Sequence, residues 1–245
     1  MNTRLHSHLH AAAETALSLF FPRRCPVCDE PVQPWNALIC QDCAQLPAYI
    51  EPPFCMKCGK HLNREEKEYC RDCAVRPHLF DRGRALFAYQ SISASIARFK
   101  YAGRQEYAAF YADCMAKRLG SFIRECKAQA FIPVPLHKSR LRRRGYNQAE
   151  VLARELSLLT GIPVLADWIV RVKKTVPMKD LSAQERQNNL KRAFNIRQND
   201  VKLSTVIIID DIYTTGSTID AMSRELKKAG VKRIYFMTLA IGRGA

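Results

Sequence analysis

Eight cysteines near the start of the chain form four Cys-x-x-Cys pairs, Cys25/Cys28, Cys40/Cys43, Cys55/Cys58 and Cys70/Cys73. The pairs begin fifteen residues apart, and the segment 25–43 maps onto 55–73 with a shift of thirty residues. Such an internal duplication predicts a repeated structural unit. Two thiolates on one tight turn reach one side of a tetrahedral zinc ion, and a second such turn completes its coordination. The spacing therefore predicts two zinc sites of four cysteines each.

Disulfides and redox-active pairs are the alternatives to zinc. Glu14 interrupts the apolar run at 11–21, and Pro22, Arg23 and Arg24 follow it, so the chain start does not read as an export signal. Disulfides are then not expected, and a redox Cys-x-x-Cys pair occurs singly rather than four times in register. We expect one ion on the first four cysteines and one on the last four, with a cross-braced pairing as the open alternative.

A second group of residues suited to chemistry follows an apolar run near the C-terminus. The run 206–209 predicts a fully buried strand, and it leads through an acidic and hydroxyl-rich stretch into a helix, with candidate site residues Asp210, Asp211, Thr214, Thr215, Gly216, Ser217 and Thr218. Glycine allows close approach of the backbone, and N–H groups at a helix N-terminus cradle phosphate. The carboxylates suit sugar hydroxyls or magnesium. A simple helix cap is the alternative, but two carboxylates at the end of a buried strand are costly without a ligand.

Alternating strands and helices would position these residues. Strands are predicted at 84–89, 130–135, 206–209 and 231–241, and helices at 93–100, 105–126, 147–160 and 217–229. This order predicts an α/β fold with a mainly parallel sheet and helices on both faces. We expect an N-terminal segment at 1–23 with a short helix carrying Leu17, Phe20 and Phe21, a Cys-rich module at 24–76, and the α/β domain at 80–245. No apolar run reaches membrane-spanning length, so we expect a cytoplasmic protein.

The charge of the chain points to a polyanionic partner. Lys and Arg number 39 against 23 Asp and Glu, which gives a net charge of +16. A basic surface kept for solubility is the alternative. Five positive charges lie within Lys138–Arg144, in a predicted loop that could balance a pyrophosphate, contact a nucleic-acid backbone or simply be solvated. Further residues could extend a positive track with an aromatic stacking surface: Tyr146, Arg171, Lys173, Lys174, Lys191 and Arg192.

The stretch 206–218 resembles the phosphoribosyl pyrophosphate (PRPP) signature of the type I phosphoribosyltransferases, and the whole chain resembles the ComF competence family, which carries a double zinc ribbon. The marks of the family are Leu19-Phe-Phe-Pro-Arg-Arg-Cys25, Phe99-Lys-Tyr-Ala-Gly-Arg104, Pro133-Val-Pro135, Arg144-Gly-Tyr-Asn-Gln148, Arg186, Asn189-Leu190 and Ala193-Phe194. The family usually has glutamine three residues after the threonine matched by Thr175, where this chain has Met178. If that glutamine reads a ligand, the base-side contact differs here.

The resemblance implies roles for the site residues. Asp210 and Asp211 would hold the ribose 2′- and 3′-hydroxyls, and Thr214 to Thr218 would hold the 5′-phosphate. The loop after Pro135, with Lys138, would face the pyrophosphate, and magnesium would bridge pyrophosphate and ribose.

Three functions are compatible with this resemblance. The protein could handle single-stranded DNA in natural transformation, with PRPP binding in support and zinc ribbons that contact DNA or dock a DNA-translocating motor protein. It could instead be an active phosphoribosyltransferase that displaces pyrophosphate. The third alternative is a regulator that senses PRPP and binds duplex DNA, for which the sequence shows no recognition-helix pattern.

Overall fold

The computed structural model describes residues 22–63, 68–172, 193–197 and 202–242. Within them the helices are α1 (Arg71–Val75), α2 (Tyr89–Tyr101), α3 (Tyr107–Cys126), α4 (Lys138–Arg144), α5 (Gln148–Thr160) and α6 (Ser217–Lys228). The strands are β1 (Arg82–Ala88), β2 (Ala130–Pro133), β3 (Ile169–Arg171), β4 (Phe194–Ile196), β5 (Thr205–Tyr213) and β6 (Arg233–Ile241). The predicted N-terminal helix, Met178, and the basic positions 173, 174, 191 and 192 lie outside the described residues.

Four of the strands form one parallel sheet in the order β1-β6-β5-β2. Successive residues of β5 face opposite sides of it. Val206 and Ile208 lie in the core that includes α6, and Ile207 and Ile209 lie in the core shared with α2, α3 and α5. Because both faces are covered, the strand is apolar at every one of these positions. The predicted parallel α/β architecture with helices on both faces is confirmed.

A smaller sheet lies on the α6 side. Strands β3 and β4 pair antiparallel, with Val170 opposite Asn195. Ile169 and Phe194 are buried in the same core as Met222 of α6. This sheet brings Arg171 toward the carboxyl end of β5, and the sequence analysis did not predict it.

Two predictions that concern the site are wrong, one about where a strand ends and one about the type of an element. Strand β5 continues four residues past Ile209, because its ladder with β6 runs on through Asp210 opposite Thr238 to Tyr213 opposite Ile241. The basic stretch predicted as a loop is helix α4. The His137 ring accepts a hydrogen bond from the Ser139 N–H at its start, and Gly145 ends it at a φ of 82°.

The Cys-rich module covers the free edge of the sheet. Ile50 N–H donates to the Leu86 carbonyl at 3.0 Å, and Gly83 N–H of β1 donates to the Lys57 carbonyl at 2.8 Å. An uncovered edge strand exposes unpaired backbone groups, so these contacts protect β1. The residue limits 24–76 and 80–245 of the two parts stay a prediction. Among the helices of the described ranges, none combines the length and the apolar character needed to cross a bilayer.

Candidate functional site

The second four cysteines form one cluster. The sulfur atoms of Cys55, Cys58, Cys70 and Cys73 all lie within 4.8 Å of one another. The first three of these residues are at most 1% exposed. Four thiols at this separation fit the ligand set of a structural zinc site.

The first four cysteines form a second cluster. The sulfur atoms of Cys25, Cys28 and Cys40 lie within 4.8 Å of one another, and the side chain of Cys43 interacts with those of Cys25 and Cys28. The cysteines therefore group in sequence order, and the cross-braced alternative is wrong. Two four-cysteine groups of this kind are consistent with a pair of zinc ribbons.

The duplication seen in the sequence is also a duplication of local structure. Asp29 and Gly59 follow the first Cys pair of each ribbon, and both have positive φ, 65° and 75°. Their N–H groups donate to the carbonyls of Cys25 and Cys55, at 2.9 and 3.0 Å. The same backbone turn thus presents the thiols in both copies.

The acidic pair lies within β5, near the carboxyl end of its ladder with β6. Asp211 N–H donates to Oδ1 of Asp210 at 2.8 Å. The Lys100 ammonium, from the end of α2, forms an ion pair with Oδ2 of Asp211, and these side chains are 16% and 18% exposed. Two carboxylates are thus held side by side with one compensating cation, at the strand end where ligands of parallel sheets bind.

The two carboxyl groups titrate differently. Burial, and next the charge of Asp211, raise the pKa of Asp210 well above its usual range. Burial acts in the same direction on Asp211, but the charge and hydrogen bond of Lys100, together with the hydrogen bond of Asp210 and the charge of Arg144, lower the pKa of Asp211 below its usual value. The two neighbouring carboxyl groups thus have pKa values shifted in opposite directions, which is typical of a ligand site rather than of a surface loop.

The charges of arginines from two further elements act on the pair. The Arg144 charge lowers the pKa of Asp211, and this guanidinium donates to Oε1 of Gln148 at 2.8 Å. Burial, and next the charge of Arg140, lower the pKa of Arg171 to about 10, while the Asp210 charge opposes that shift. Lys138 is exposed at the start of α4, and no contact described for it joins it to the acidic pair. Sequence reasoning missed Lys100, although it lies in the family motif 99–104.

The predicted phosphate turn lies directly beyond β5. Gly216 has a φ of 77°, and α6 begins at Ser217. Thr214 is exposed, Thr218 is partly exposed, and the Thr215 and Ser217 hydroxyls lie 2.8 Å apart in one hydrogen bond. The N-terminus of α6 and these hydroxyls offer donors on the same side as the acidic pair.

His78 packs against this turn, and sequence reasoning missed it entirely. Its Nδ1 lies 2.7 Å from Oδ2 of Asp220, in the first turn of α6, and Leu79 N–H donates to Oδ1 of the same carboxylate at 2.8 Å. A Cβ on Gly216 would stand 2.9 Å from Cε1 of His78 and 2.7 Å from the Tyr213 hydroxyl. Only glycine fits between them.

The aromatic stacking surface predicted at Tyr146 is wrong. Tyr146 is 7% exposed, and its hydroxyl donates to the Phe99 carbonyl, so its ring faces the core. Tyr101 is 66% exposed instead, and it directly follows Lys100, the ion-pair partner of Asp211. The Arg144 guanidinium stands 4.7 Å from its ring centroid and donates to its hydroxyl at 3.1 Å.

Comparisons with known proteins agree with both halves of the chain. A double zinc ribbon domain matches residues 16–74, and a phosphoribosyl transferase domain matches residues 141–245. Competence protein F of Haemophilus influenzae is 34% identical over 90% of this chain and 98% of its own length. DNA utilization protein YhgH of Salmonella typhimurium is 28% identical over 90% of this chain and 98% of its own. Competence protein ComFC of Bacillus subtilis is 27% identical over 84% and 89%. The chain belongs to the ComF family of competence proteins.

Proposed function

We propose that this protein binds PRPP at the carboxyl end of β5 and handles single-stranded DNA during natural transformation. One observation carries the PRPP part of the proposal. Three kinds of group lie together at the carboxyl end of β5. They are the paired carboxyl groups, the glycine-bearing turn at the start of α6, and cations from α2, α4 and β3. A sugar bearing phosphate at both ends requires acceptors in the middle and donors on each side.

Each group has a role in this binding mode. Asp210 and Asp211 accept hydrogen bonds from the ribose 2′- and 3′-hydroxyls. The N–H groups of Thr215 to Thr218 hold the 5′-phosphate, and Arg144 and Arg171 offset the charge of the pyrophosphate. The two carboxylates are also oxygen ligands that fit magnesium, which when bound would neutralise pyrophosphate charge beside the ribose.

Replacing both carboxylates tests the PRPP site. We expect Asp210→Asn with Asp211→Asn to weaken PRPP binding at least 100-fold by isothermal titration calorimetry, because two hydrogen bonds to charged acceptors are lost, each worth about 1.5–3 kcal/mol. Asp113→Asn is the matched control, since Asp113 forms an ion pair with Lys117 along the surface of α3, at 2.8 Å. Unchanged affinity in the double variant would show that PRPP binds elsewhere.

Three features favour single-stranded DNA as the second ligand. Relatives of this chain are named for competence and for DNA utilization, and its net charge is +16. Helix α4 presents Lys138, Arg142 and Arg143 to solvent, next to the exposed ring of Tyr101. A basic track beside an aromatic ring binds single strands by holding phosphates and stacking bases.

Tyr101 provides the test of this surface. We expect Tyr101→Ala to weaken binding of a short oligonucleotide about tenfold in fluorescence anisotropy, because one stacked base contributes about 1–3 kcal/mol. Tyr101→Phe should retain the affinity. Tyr89→Ala, at the opposite end of α2 and 39% exposed, should have no effect. Equal losses at both ends of the helix would argue against a stacking site.

Active transfer is the second candidate, and the match to a phosphoribosyl transferase domain favours it. In that reaction a nucleophile bonds to the anomeric carbon of PRPP, and the bond to pyrophosphate breaks with its electron pair leaving on the pyrophosphate oxygen. Arg144 and Arg171 would stabilise that charge. Pyrophosphate release measured across a panel of bases separates this enzyme from a binding protein. The regulator alternative, the motor-protein partner and a cytoplasmic location stay predictions.

A further inference from the structure

His78 joins the second zinc ribbon to the phosphate turn. Its side chain is 3% exposed, and it follows α1, the helix that carries the zinc-site residue Cys73. Its ring is held on one side by Asp220 and on the other by Phe80, 4.7 Å away between ring centroids and nearly parallel. The imidazole is therefore fixed where it limits the space above Gly216.

A continuous aromatic core connects this histidine to the zinc site. Phe80 meets the ring of Tyr213 edge-on at 6.2 Å, and the Lys57 ammonium stands 5.4 Å over the ring of Phe80. Cys55, Cys58 and Cys70 are buried in the same cluster as these two rings. Since close-packed cores transmit displacement rather than absorb it, a change in this ribbon reaches the turn.

The first ribbon docks at a different place. Arg104 Nε and the Tyr107 hydroxyl donate to Oδ1 of Asp29 at 2.8 and 2.6 Å. Arg98 donates to the Val27 carbonyl at 2.6 Å. These contacts fall at the end of α2, at the start of α3 and in the connection between them. The buried residues of the first ribbon form a separate cluster from that of the turn. The duplication thus supplies two similar metal sites, of which only one adjoins the turn.

We propose that the second zinc ribbon sets the conformation of the phosphate turn through His78, so that phosphate binding at the turn depends on zinc in the second ribbon and not on zinc in the first. His78 is a positioning residue in this arrangement. It holds Asp220 and closes the space above Gly216, while the N–H groups of the turn contact the ligand. The ligand part of this inference rests on the proposed PRPP site, and the conformational part does not.

Ribose 5-phosphate and inorganic pyrophosphate separate a local effect from general damage. We expect His78→Ala to weaken ribose 5-phosphate binding about tenfold, comparable with the loss of one hydrogen bond to a charged group. Pyrophosphate, held by the arginines at the other end of the site, should bind unchanged. His78→Asn, which keeps an N–H donor for Asp220, should recover part of the lost affinity. Equal losses for both ligands would overturn the positioning role.

Hydrogen exchange tests the coupling without any ligand. Cys73→Ser and Cys43→Ser change equivalent positions of the two ribbons, and elemental analysis should give one zinc ion fewer in each. We expect backbone amides of residues 213–220 to exchange at least tenfold faster in Cys73→Ser and in His78→Ala, and at the native rate in Cys43→Ser. Native exchange in His78→Ala, or equal acceleration in both cysteine variants, would overturn the proposal. If wild-type protein fails to bind ribose 5-phosphate, the PRPP site is wrong while this exchange result stands.

Discussion

At the scale of single residues, the acidic pair combines two opposite electrostatic environments. Asp210 has a raised pKa because burial and its ionised neighbour disfavour its charge. Asp211 has a lowered pKa because its contacts, chiefly the ion pair with Lys100, together outweigh its burial. The buried Asp210 carboxyl group thus lowers the stability of the fold, whereas Asp211 increases it. Residues kept against stability are typical of binding sites.

We expect single substitutions of the pair to change stability in opposite directions. A carboxyl group with a raised folded-state pKa binds its proton more tightly when folded, so it lowers stability as pH rises above 3.8, its usual pKa. Asp210→Asn should therefore stabilise the protein at pH 7, and the gain should shrink as the pH falls toward 4. Asp211→Asn should cost about 2 kcal/mol, because Lys100 loses its partner.

Urea denaturation at pH 7 and at pH 5 measures both effects. The Lys100→Met, Asp211→Asn double variant is a useful control, since removing both charges should restore part of what Asp211→Asn alone loses. If Asp210→Asn and Asp211→Asn were equally destabilising, the unequal environments inferred for the two carboxyl groups would be wrong.

The sequence revealed some members of the site and concealed others for a physical reason. Asp210 and Asp211 stand out because they follow an apolar strand in the chain itself. His78 reaches the turn from a distant part of the sequence, and its environment is created only by packing of the ribbon against α6. Tyr146 looked like a stacking residue because exposure cannot be read from residue type, and its ring is buried.

At the scale of elements, equivalent positions of the duplicated ribbons have acquired different tasks. Asp29 uses its side chain to bind Arg104 and Tyr107 on the helical layer. Gly59 has no side chain because its backbone lies against β1, where a Cβ would stand 2.5 Å from the Gly83 carbonyl oxygen and 2.9 Å from the Arg84 Cα. One ribbon is held by an ion pair and the other by close backbone contact.

Gly59→Ala should therefore loosen the second ribbon from the sheet. We expect it to cost about 3 kcal/mol, from the positive φ together with overpacking against a backbone that cannot move aside. Gly103→Ala is the matched control, because Gly103 has a similar φ of 71° but nothing within 4 Å of the added Cβ. That change should cost about 1 kcal/mol. Similar costs for both variants in chemical denaturation would exclude close contact as the reason for Gly59.

Element types were more predictable than element ends. The apolar run 206–209 identified β5, but its extension to Tyr213 depends on the ladder with β6, which a single sequence does not display. Helix α4 was missed because its charges suggested a solvated loop, whereas the His137 cap and the Gly145 stop make it a short helix. Long-range pairing and capping decided both outcomes.

At the scale of the whole molecule, the basic residues differ in where they lie relative to the acidic pair and to Tyr101. Lys100 forms an ion pair with Asp211, and the charges of Arg144 and Arg171 act on the acidic pair. Lys138, Arg142 and Arg143 on α4 are exposed near the same end of the sheet, the carboxyl end of its strands. Arg224, Lys227 and Lys232 are also exposed, but they lie on or just beyond the later part of α6, away from the acidic pair. Of these two exposed groups in the described part of the chain, the α4 group is the one positioned to contact a strand that passes Tyr101.

This difference predicts the salt dependence of DNA binding. Each contact between a cation and a phosphate releases counterions, so the logarithm of the binding constant falls with the logarithm of salt by about 0.7 per contact for single strands. Replacing Lys138, Arg142 and Arg143 with alanine should therefore reduce the slope by about 2 and weaken binding at low salt. Alanine at Arg224, Lys227 and Lys232 removes the same charge and should leave the slope near the wild-type value.

Anisotropy titrations of one oligonucleotide from 50 to 200 mM salt, a range over which such contacts weaken steeply, measure both slopes. Equal reductions in the two variants would mean that net charge, rather than the α4 surface, attracts the strand.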